Sequence, residues 1–298
     1  MELKSCCIKE SVIRNYELTK YIDNIQDIKQ FYSKEYDRKY DVYIIKSNEV
    51  EYVLKSNKNS YEANAIKLLK KSGINFIPEI KCGFECDDKN WLLMDKIDAI
   101  KIEEHHLEKT MDCLSDLHLK FRLINNAVRY PNFKSWNSIE INLDLFSDVE
   151  LTLSDKQCVV YSNKRLEDSF TTIIHNDMIT FNILASEDSV SIIDWEYAMY
   201  APYILDLGRL FGDFNKKEKW IEPKLHKMLL DRYHSNIVAG GIDINREEFN
   251  LDLLCAKLYN YLGIVYSHKK NSWEESDWYF QNLNEMKEII QVLNNNKL

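Results

Sequence analysis

Four residues in one short stretch, IIHNDMITFNILASEDSVSIID from Ile173 to Asp194, have types and spacing that suit movement of a phosphoryl group: His175, Asp177, Asn182 and Asp194. In-line transfer from a nucleoside triphosphate to a hydroxyl needs a carboxylate beside the incoming hydroxyl. It also needs oxygen ligands that hold Mg²⁺ against the triphosphate and neutralise the charge developing there. Two acids and one amide meet both needs.

Asp177 precedes Asn182 by five positions, the step of the catalytic loop H-R-D-x-x-x-x-N, with Asn176 where the Arg stands. Val190 to Ile193 then reads VSII, an apolar β-branched run that predicts a buried strand delivering the Asp194 carboxylate at its tip. Taken one at a time, Asp177 and Asn182 read equally well as turn formers, and Asp194 as a residue closing a strand. The combination of His-x-Asp, the five-residue step and a strand-borne second Asp favours chemistry, because a motif gains weight when its structural context also fits.

These residues carry a resemblance. HNDMITFNILASEDSVSIIDWEYAMYAPYILDLGRLF is similar to the core of the aminoglycoside phosphotransferase and choline kinase superfamily, with DWEYA in place of DFG, no A-P-E after it, and a further acid, Asp206, in YILDLGR. The resemblance implies an α+β, protein-kinase-like fold of two lobes, a small antiparallel-sheet lobe over residues 1–94 and a larger, mainly helical lobe over 95–298. It further implies ATP or GTP with Mg²⁺ in the cleft, and a small hydroxylated metabolite or antibiotic as acceptor. Asp177 and His175 are then the catalytic candidates, Asn182 and Asp194 the metal ligands. A hinge at about 95–98 would offer the Asp95 carbonyl and the Ile97 N–H to the adenine. DWEY also resembles the corresponding DFEY of choline kinases, so an aminoglycoside-type acceptor and a choline- or ethanolamine-type acceptor both stand.

The upstream half must then supply a strand bearing a phosphate-binding Lys and a helix bearing its Glu partner. EYVLKS, Glu51 to Ser56, resembles the V-A-I-K strand, with Lys55 as its lysine. YEANAIKLLKKSG follows with apolar residues at helical spacing, Ser60 as a candidate cap, Glu62 in the first turn and Gly73 at the end. A solvated strand Lys and a first-turn Glu without function are the plainer readings of the pair. No Gly occurs before Gly73, so no glycine-rich phosphate loop precedes the lysine strand. Two strands over 27–32 and 40–47 would instead present the polar bridge 33–39, in which Ser33, Arg38 or Lys39 could contact phosphates. WLLM, Trp91 to Met94, reads as the last strand of this lobe.

Past the predicted hinge, Met111, Leu114, Leu117 and Phe121 share one face of a predicted helix, with His118 as a packed structural residue. The pair His105-His106 lacks a partner at metal-ligand spacing and reads as surface. Helical patterns around 223–233, 249–266 and 278–293 should shape the acceptor site. Within SWEESDWY, Glu274, Glu275 and Trp278, together with Glu196 after the metal Asp, are candidates for holding a cationic acceptor, since aromatic faces and carboxylates attract cations. The same residues serve as well for a core-facing stripe behind an acidic helix start.

Composition agrees. A chain of 298 residues, 45% hydrophobic and 12% aromatic, can bury the core of a two-lobed globular protein. A net charge of −9 argues against nucleic acid as partner and suits a cationic acceptor. Seven cysteines, an odd number without a second pair to complete a zinc site, fit reduced thiols in a cytoplasmic protein. The amino terminus lacks the apolar core of a signal peptide, and no apolar run reaches membrane-spanning length, so the membrane is excluded as a partner. Two other classes compete with the kinase reading: a non-catalytic nucleotide-binding protein on the same fold, and a metal hydrolase built on His175 and Asp177. The intact Asp177, Asn182 and Asp194 speak against the first, and the lack of further ligands at usable spacing against the second.

Overall fold

The computed structural model describes residues 2–34, 37–57, 60–122, 133–136, 149, 151–212, 221–272 and 276–295. In chain order the first elements are β1 (Glu2–Ser5), α1 (Glu10–Ile13), α2 (Tyr16–Thr19), β2 (Ile25–Ser33), β3 (Arg38–Ser47), β4 (Val50–Asn57), α3 (Tyr61–Lys71), β5 (Ile80–Cys86) and β6 (Lys89–Asp95). Next come α4 (Glu104–Lys120), β7 (Lys134–Ser135), α5 (Leu153–Asp168), β8 (Thr171–Ile174), β9 (Ile183–Ser186) and β10 (Ser189–Ile192). The chain closes with β11 (Met199–Pro202), α6 (Ile204–Leu210), α7 (Pro223–Ala239), α8 (Arg246–Lys270) and α9 (Asp277–Asn295).

Two compact units result, Met1–Ile102 with Ile183–Glu196, and Glu103–Asn182 with Tyr197–Leu298. A cut at residue 95 does not produce this division. The β9-β10 hairpin is tied to the first unit by backbone bonds, the Ile100 N–H donating to the Ala185 carbonyl at 2.8 Å and the Ile192 N–H to the Phe76 carbonyl at 2.8 Å. Asp194 and Glu196 thereby travel with the lysine strand.

The first unit is built on a six-stranded antiparallel sheet in the order β1-β2-β3-β4-β6-β5. Side chains alternate across β4, so Leu54, fully buried, and Ser56 face the packed side while Lys55 faces the other. That packed side gathers Ile45, Leu54, Trp91 and Leu93 with Val12, Leu18 and Ile22 from the α1-α2 region. WLLM lies in β6, the last strand of this sheet in chain order, with β5 outside it at the sheet edge. The β3-β4 and β5-β6 turns each place two consecutive residues at positive φ, Asn48 and Glu49, then Asp87 and Asp88, as two-residue hairpins require. The β2-β3 connection is shorter than the predicted bridge: Ser33 and Arg38 already pair across the hairpin, and the residues at 35 and 36 lie outside the described ones.

The second unit is mainly helical. α4 packs on α7, α6 on α8, and α5, α8 and α9 on one another, while β8 and β11 pair antiparallel with β7 parallel at the edge. Met111, Leu114 and Leu117 of α4 are fully buried, as their spacing predicts. Of the two adjacent histidines only His105 is a surface residue. His106 is fully buried because its Nδ1 accepts the Glu103 N–H at 3.1 Å, closing the first turn of α4.

Candidate active site

In the first unit, Lys55 lies among carboxylates. Its Nζ is 2.8 Å from Glu62 Oε2 and 3.8 Å from Glu196 Oε2, and it donates a short hydrogen bond to Asp194 Oδ1. Glu62 is buried in the first turn of α3, where the Asn57 amide also reaches it at 2.5 Å. Ser60 stands at the cap position, yet its hydroxyl makes no capping bond. Burial pulls the Lys55 ammonium toward neutrality, but Glu62 and Asp194 outweigh that and raise its pKa above the ordinary lysine value.

Glu62, Asp194 and Glu196 bring carboxylate oxygens within 4.8 Å of one another. Three carboxylates against one ammonium leave two negative charges, and hard oxygen donors at this spacing fit a small divalent cation such as Mg²⁺. Asp194 holds its carboxylate from a backbone at φ 68°, a left-handed conformation that Asp tolerates better than most residues. It follows β10 after the one intervening residue Ile193, close to the strand tip that the VSII run predicts.

The remaining first-unit candidates are placed as follows. Ser33, buried, ends β2 at the closed hairpin. Asp95 ends β6, its N–H donating to the Glu79 carbonyl at 3.3 Å and its carboxylate 2.8 Å from Lys81 Nζ. Ile97 follows, half-buried, in the extended chain after the strand.

In the second unit, β8 leads directly into the loop that carries Asp177. Asp206 of α6, fully buried, organises that loop: its two oxygens accept the backbone N–H groups of His175 and Asn176, each at 2.8 Å. Oδ2, the oxygen that accepts from His175, also lies 3.2 Å from His118 Nε2, and His118 Nδ1 meets the Tyr233 hydroxyl at 2.6 Å. Asn176 sits at φ 64°, which an Asn adopts at small cost and which turns the chain toward Asp177. The His175 ring is fully buried and its Nδ1 accepts the Asp177 N–H at 3.3 Å, which braces the loop backbone.

Asp177 itself is one-quarter exposed. Its Oδ1 accepts from Arg209 Nε at 3.1 Å and Nη2 at 3.0 Å, while Oδ2 lies 3.5 Å from Asn182 Nδ2. Asn182, in the 3-10 turn Thr180–Asn182, donates through its amide nitrogen to the Asp177 carbonyl at 2.8 Å, a bond in which its amide oxygen takes no part. Sequence reasoning named Asp206 without a role and missed Arg209. The visible signal was their three-residue step, which puts both on one helical face; the partners of that face lie about thirty positions upstream and cannot be read from spacing.

Trp278 stands in the first turn of α9, 41% exposed, its ring meeting His268 edge-on with centroids 4.6 Å apart. Glu274 and Glu275 lie outside the described residues.

Residues 151–241 match the Phosphotransferase enzyme family. Over 74 residues the chain is 35% identical to the methylthioribose kinase of Geobacillus sp. (strain WCH70); the stretch is 24% of this chain and spans 18% of that relative's length. Among solved structures, a choline/ethanolamine kinase family protein from Mesorhizobium loti is similar with a TM-score of 0.61 at 14% identity, over 94% of this chain and 92% of the other. A thermostable mutant of an aminoglycoside phosphotransferase, in ternary complex with ADP and hygromycin B, reaches 0.60 at 14% identity, over 94% and 98%. An antiparallel sheet in one unit, helices in the other and these matches give the chain the α+β fold of those two solved structures, with residues 151–241 similar in sequence to the phosphotransferase family.

Proposed function

We propose that the protein is a small-molecule kinase that transfers the γ-phosphoryl group of ATP or GTP to a hydroxyl of a small acceptor bearing cationic groups. The observation that carries this reading is the grouping around Lys55: the lysine and the acid marked by motif as phosphate and metal ligands, 139 positions apart, are hydrogen-bonded to each other, with Glu62 closing the set. Lys55, steadied by Glu62, binds the α- and β-phosphates. Ser33, Asp95 and Ile97 complete the nucleotide contacts. Asp194 would hold Mg²⁺, which when bound neutralises charge on the phosphates, and Asn182 is the second metal ligand that the motif assigns; Glu196, read from the sequence as an acceptor residue, lies among the carboxylates at Lys55.

Asp177 accepts the proton of the acceptor hydroxyl as the oxygen attacks the γ-phosphorus. His175 and Asp206 keep the loop in the conformation that offers Asp177. The net charge of −9 favours a cationic acceptor at long range, and Trp278 with Glu274 and Glu275 are the residues assigned to its cationic groups. A cytoplasmic location goes with this role.

The test is acceptor-dependent release of ADP or GDP in Mg²⁺, with wild type and Asp177→Asn run against aminoglycosides, amino alcohols, sugars and amino sugars. Release driven by one acceptor and lost in the variant supports the reading. Equal release by the two proteins with every acceptor overturns it.

A further inference from the structure

The Glu62 carboxylate meets two donors from one strand. Lys55 Nζ lies 2.8 Å from Oε2, and the side-chain amide of Asn57 donates to that same oxygen at 2.5 Å. Lys55 and Asn57 are two positions apart on β4, so their side chains leave the same face of the strand, opposite the side on which Leu54 and Ser56 are buried. β4 ends at Asn57, and α3 opens at Tyr61 with Glu62 in its first turn. The Asn57 amide thereby closes the β4-α3 connection on itself and ties the start of the helix to the last residue of the strand. The Glu62 side chain is only 2% exposed, so water does not compete for the oxygen on which both donors converge.

The two donors differ in what else is asked of them. The Lys55 ammonium is shared: besides Glu62 it holds Asp194, and it lies 3.8 Å from Glu196. It has three N–H groups, and binding phosphate requires at least one of them to turn from a carboxylate to the incoming oxygens. The Asn57 amide is neutral, sits on a short side chain at the strand end, and donates to Glu62 whichever way the lysine turns. With Asn57 in place, Glu62 stays against β4 and the ammonium pivots about a fixed anion. Without it, the side-chain tie from β4 to Glu62 runs through the very ammonium that the phosphates recruit.

Resting on the kinase reading, we propose that Asn57 is a positioning residue for phosphate binding: its amide pins Glu62 Oε2 to the end of β4, and Glu62 in turn sets where Lys55 Nζ meets the α- and β-phosphates. Asn57 acts on the nucleotide only through Glu62. A neutral donor suits that part. A second cation at position 57 would compete with Lys55 for the charge of Glu62, and an apolar residue would leave a buried carboxylate oxygen with one donor fewer.

The experiment measures Kd for ATP and GTP with Mg²⁺, and for adenosine and guanosine, which lack every phosphate. The proteins are wild type, Asn57→Ala, Asn57→Asp, Glu62→Ala and the double variant Asn57→Ala, Glu62→Ala. Asn57→Ala weakens triphosphate binding by about tenfold, the effect of one hydrogen bond to a charged group, while nucleoside Kd stays within about twofold of wild type. Asn57→Asp keeps the shape of the side chain but has no N–H to give, and loses at least as much; it carries the test should the alanine variant fail to fold. On the Glu62→Ala background the loss of Asn57 adds less than about twofold, because the group through which it acts is already gone. Triphosphate Kd unchanged in Asn57→Ala, equal losses of triphosphate and nucleoside binding, or the whole tenfold loss repeated on Glu62→Ala overturns the proposal while leaving the kinase reading in place. Failure of wild type to bind either triphosphate overturns both.

Discussion

Gly208 of α6 lies so close to Ala256 of α8 that a Cβ on the glycine would stand 2.7 Å from the alanine Cβ and 2.8 Å from its backbone carbon. Backbone cannot yield as a flexible side chain would, so α6 must move away if the hydrogen is replaced. Gly208→Ala is therefore expected to destabilise the second unit by about 1–3 kcal/mol, the range for an overpacked core. Because Asp206 and Arg209 flank the glycine on the same helix, turnover should fall more than stability alone explains. Thermal unfolding, read beside kcat at a temperature where both proteins are fully folded, separates the two effects. Wild-type stability in the variant would show that the helices have room to part.

Asp206→Asn tests the organisation of the catalytic loop. The carboxylate accepts from two backbone N–H groups and lies against His118, with no water-exposed surface. An asparagine of the same shape offers one acceptor and turns an NH₂ toward a backbone donor, leaving at least one buried N–H unmatched. Loss of stability of about 1–3 kcal/mol is expected from that one unsatisfied group. Nucleotide Kd should stay near wild type, since Lys55, Glu62 and Asp194 belong to the other unit, while kcat drops strongly. A nucleotide titration and a denaturant melt decide it; equal losses in binding and kcat would speak for a general folding defect.

What the sequence disclosed and what it withheld divide along physical lines. Lys55, Glu62, Asp177, Asn182 and Asp194 stand out in the sequence as candidates because each lies within a few residues of a local pattern: a strand run, a first helical turn, a five-residue step. The long helices α4, α7, α8 and α9 were legible from their apolar periodicity. β5 was not, since IKCGFEC mixes Gly and Cys into an edge strand and alternates poorly. Nor were α5 and the burial of His106, which depends on a single ring nitrogen closing a helix start. Arg209 and the role of Asp206 were hidden for the same reason: their partners are chosen by the tertiary fold, and no local rule encodes a contact across thirty residues.

The thiols give an independent reading of the packing. Burial raises the pKa of Cys113 to about 12 and of Cys82, Cys158 and Cys255 to about 11. At pH 8 these four hold almost no thiolate, the species that reacts. A disulfide-forming thiol reagent should therefore label exposed Cys7 quickly in the native protein, and reach those four only on unfolding. Mass mapping of the modified peptides checks the order. Fast native labelling of Cys255, which has no exposed surface, would contradict the α5-α8-α9 packing.

Lys55 offers the sharpest separation of stability from function. Removing it as Lys55→Met leaves Glu62, almost fully buried, facing Asp194 and Glu196 with no cation among them, and such a broken buried pair costs about 3–5 kcal/mol. The double variant Lys55→Met, Glu62→Gln removes the stranded charge, so much of the stability should return. Nucleotide affinity should not return with it, because the phosphate-binding ammonium is still missing. The sign of the pH dependence is fixed by the raised pKa of Lys55 in the folded protein: burial lowers it, and Glu62 and Asp194 more than offset that. A lysine raised on folding stabilises fully below its unfolded value near ~10.4 and loses that contribution only as pH climbs through the higher folded value. The stability gap between wild type and Lys55→Met is therefore expected to stay level from about pH 6 to 9 and to narrow only in strong alkali. Denaturant melts of the three proteins across that range, paired with nucleotide titrations, test both parts. A gap that closes near neutrality, or nucleotide affinity restored in the double variant, would remove Lys55 from the role assigned to it.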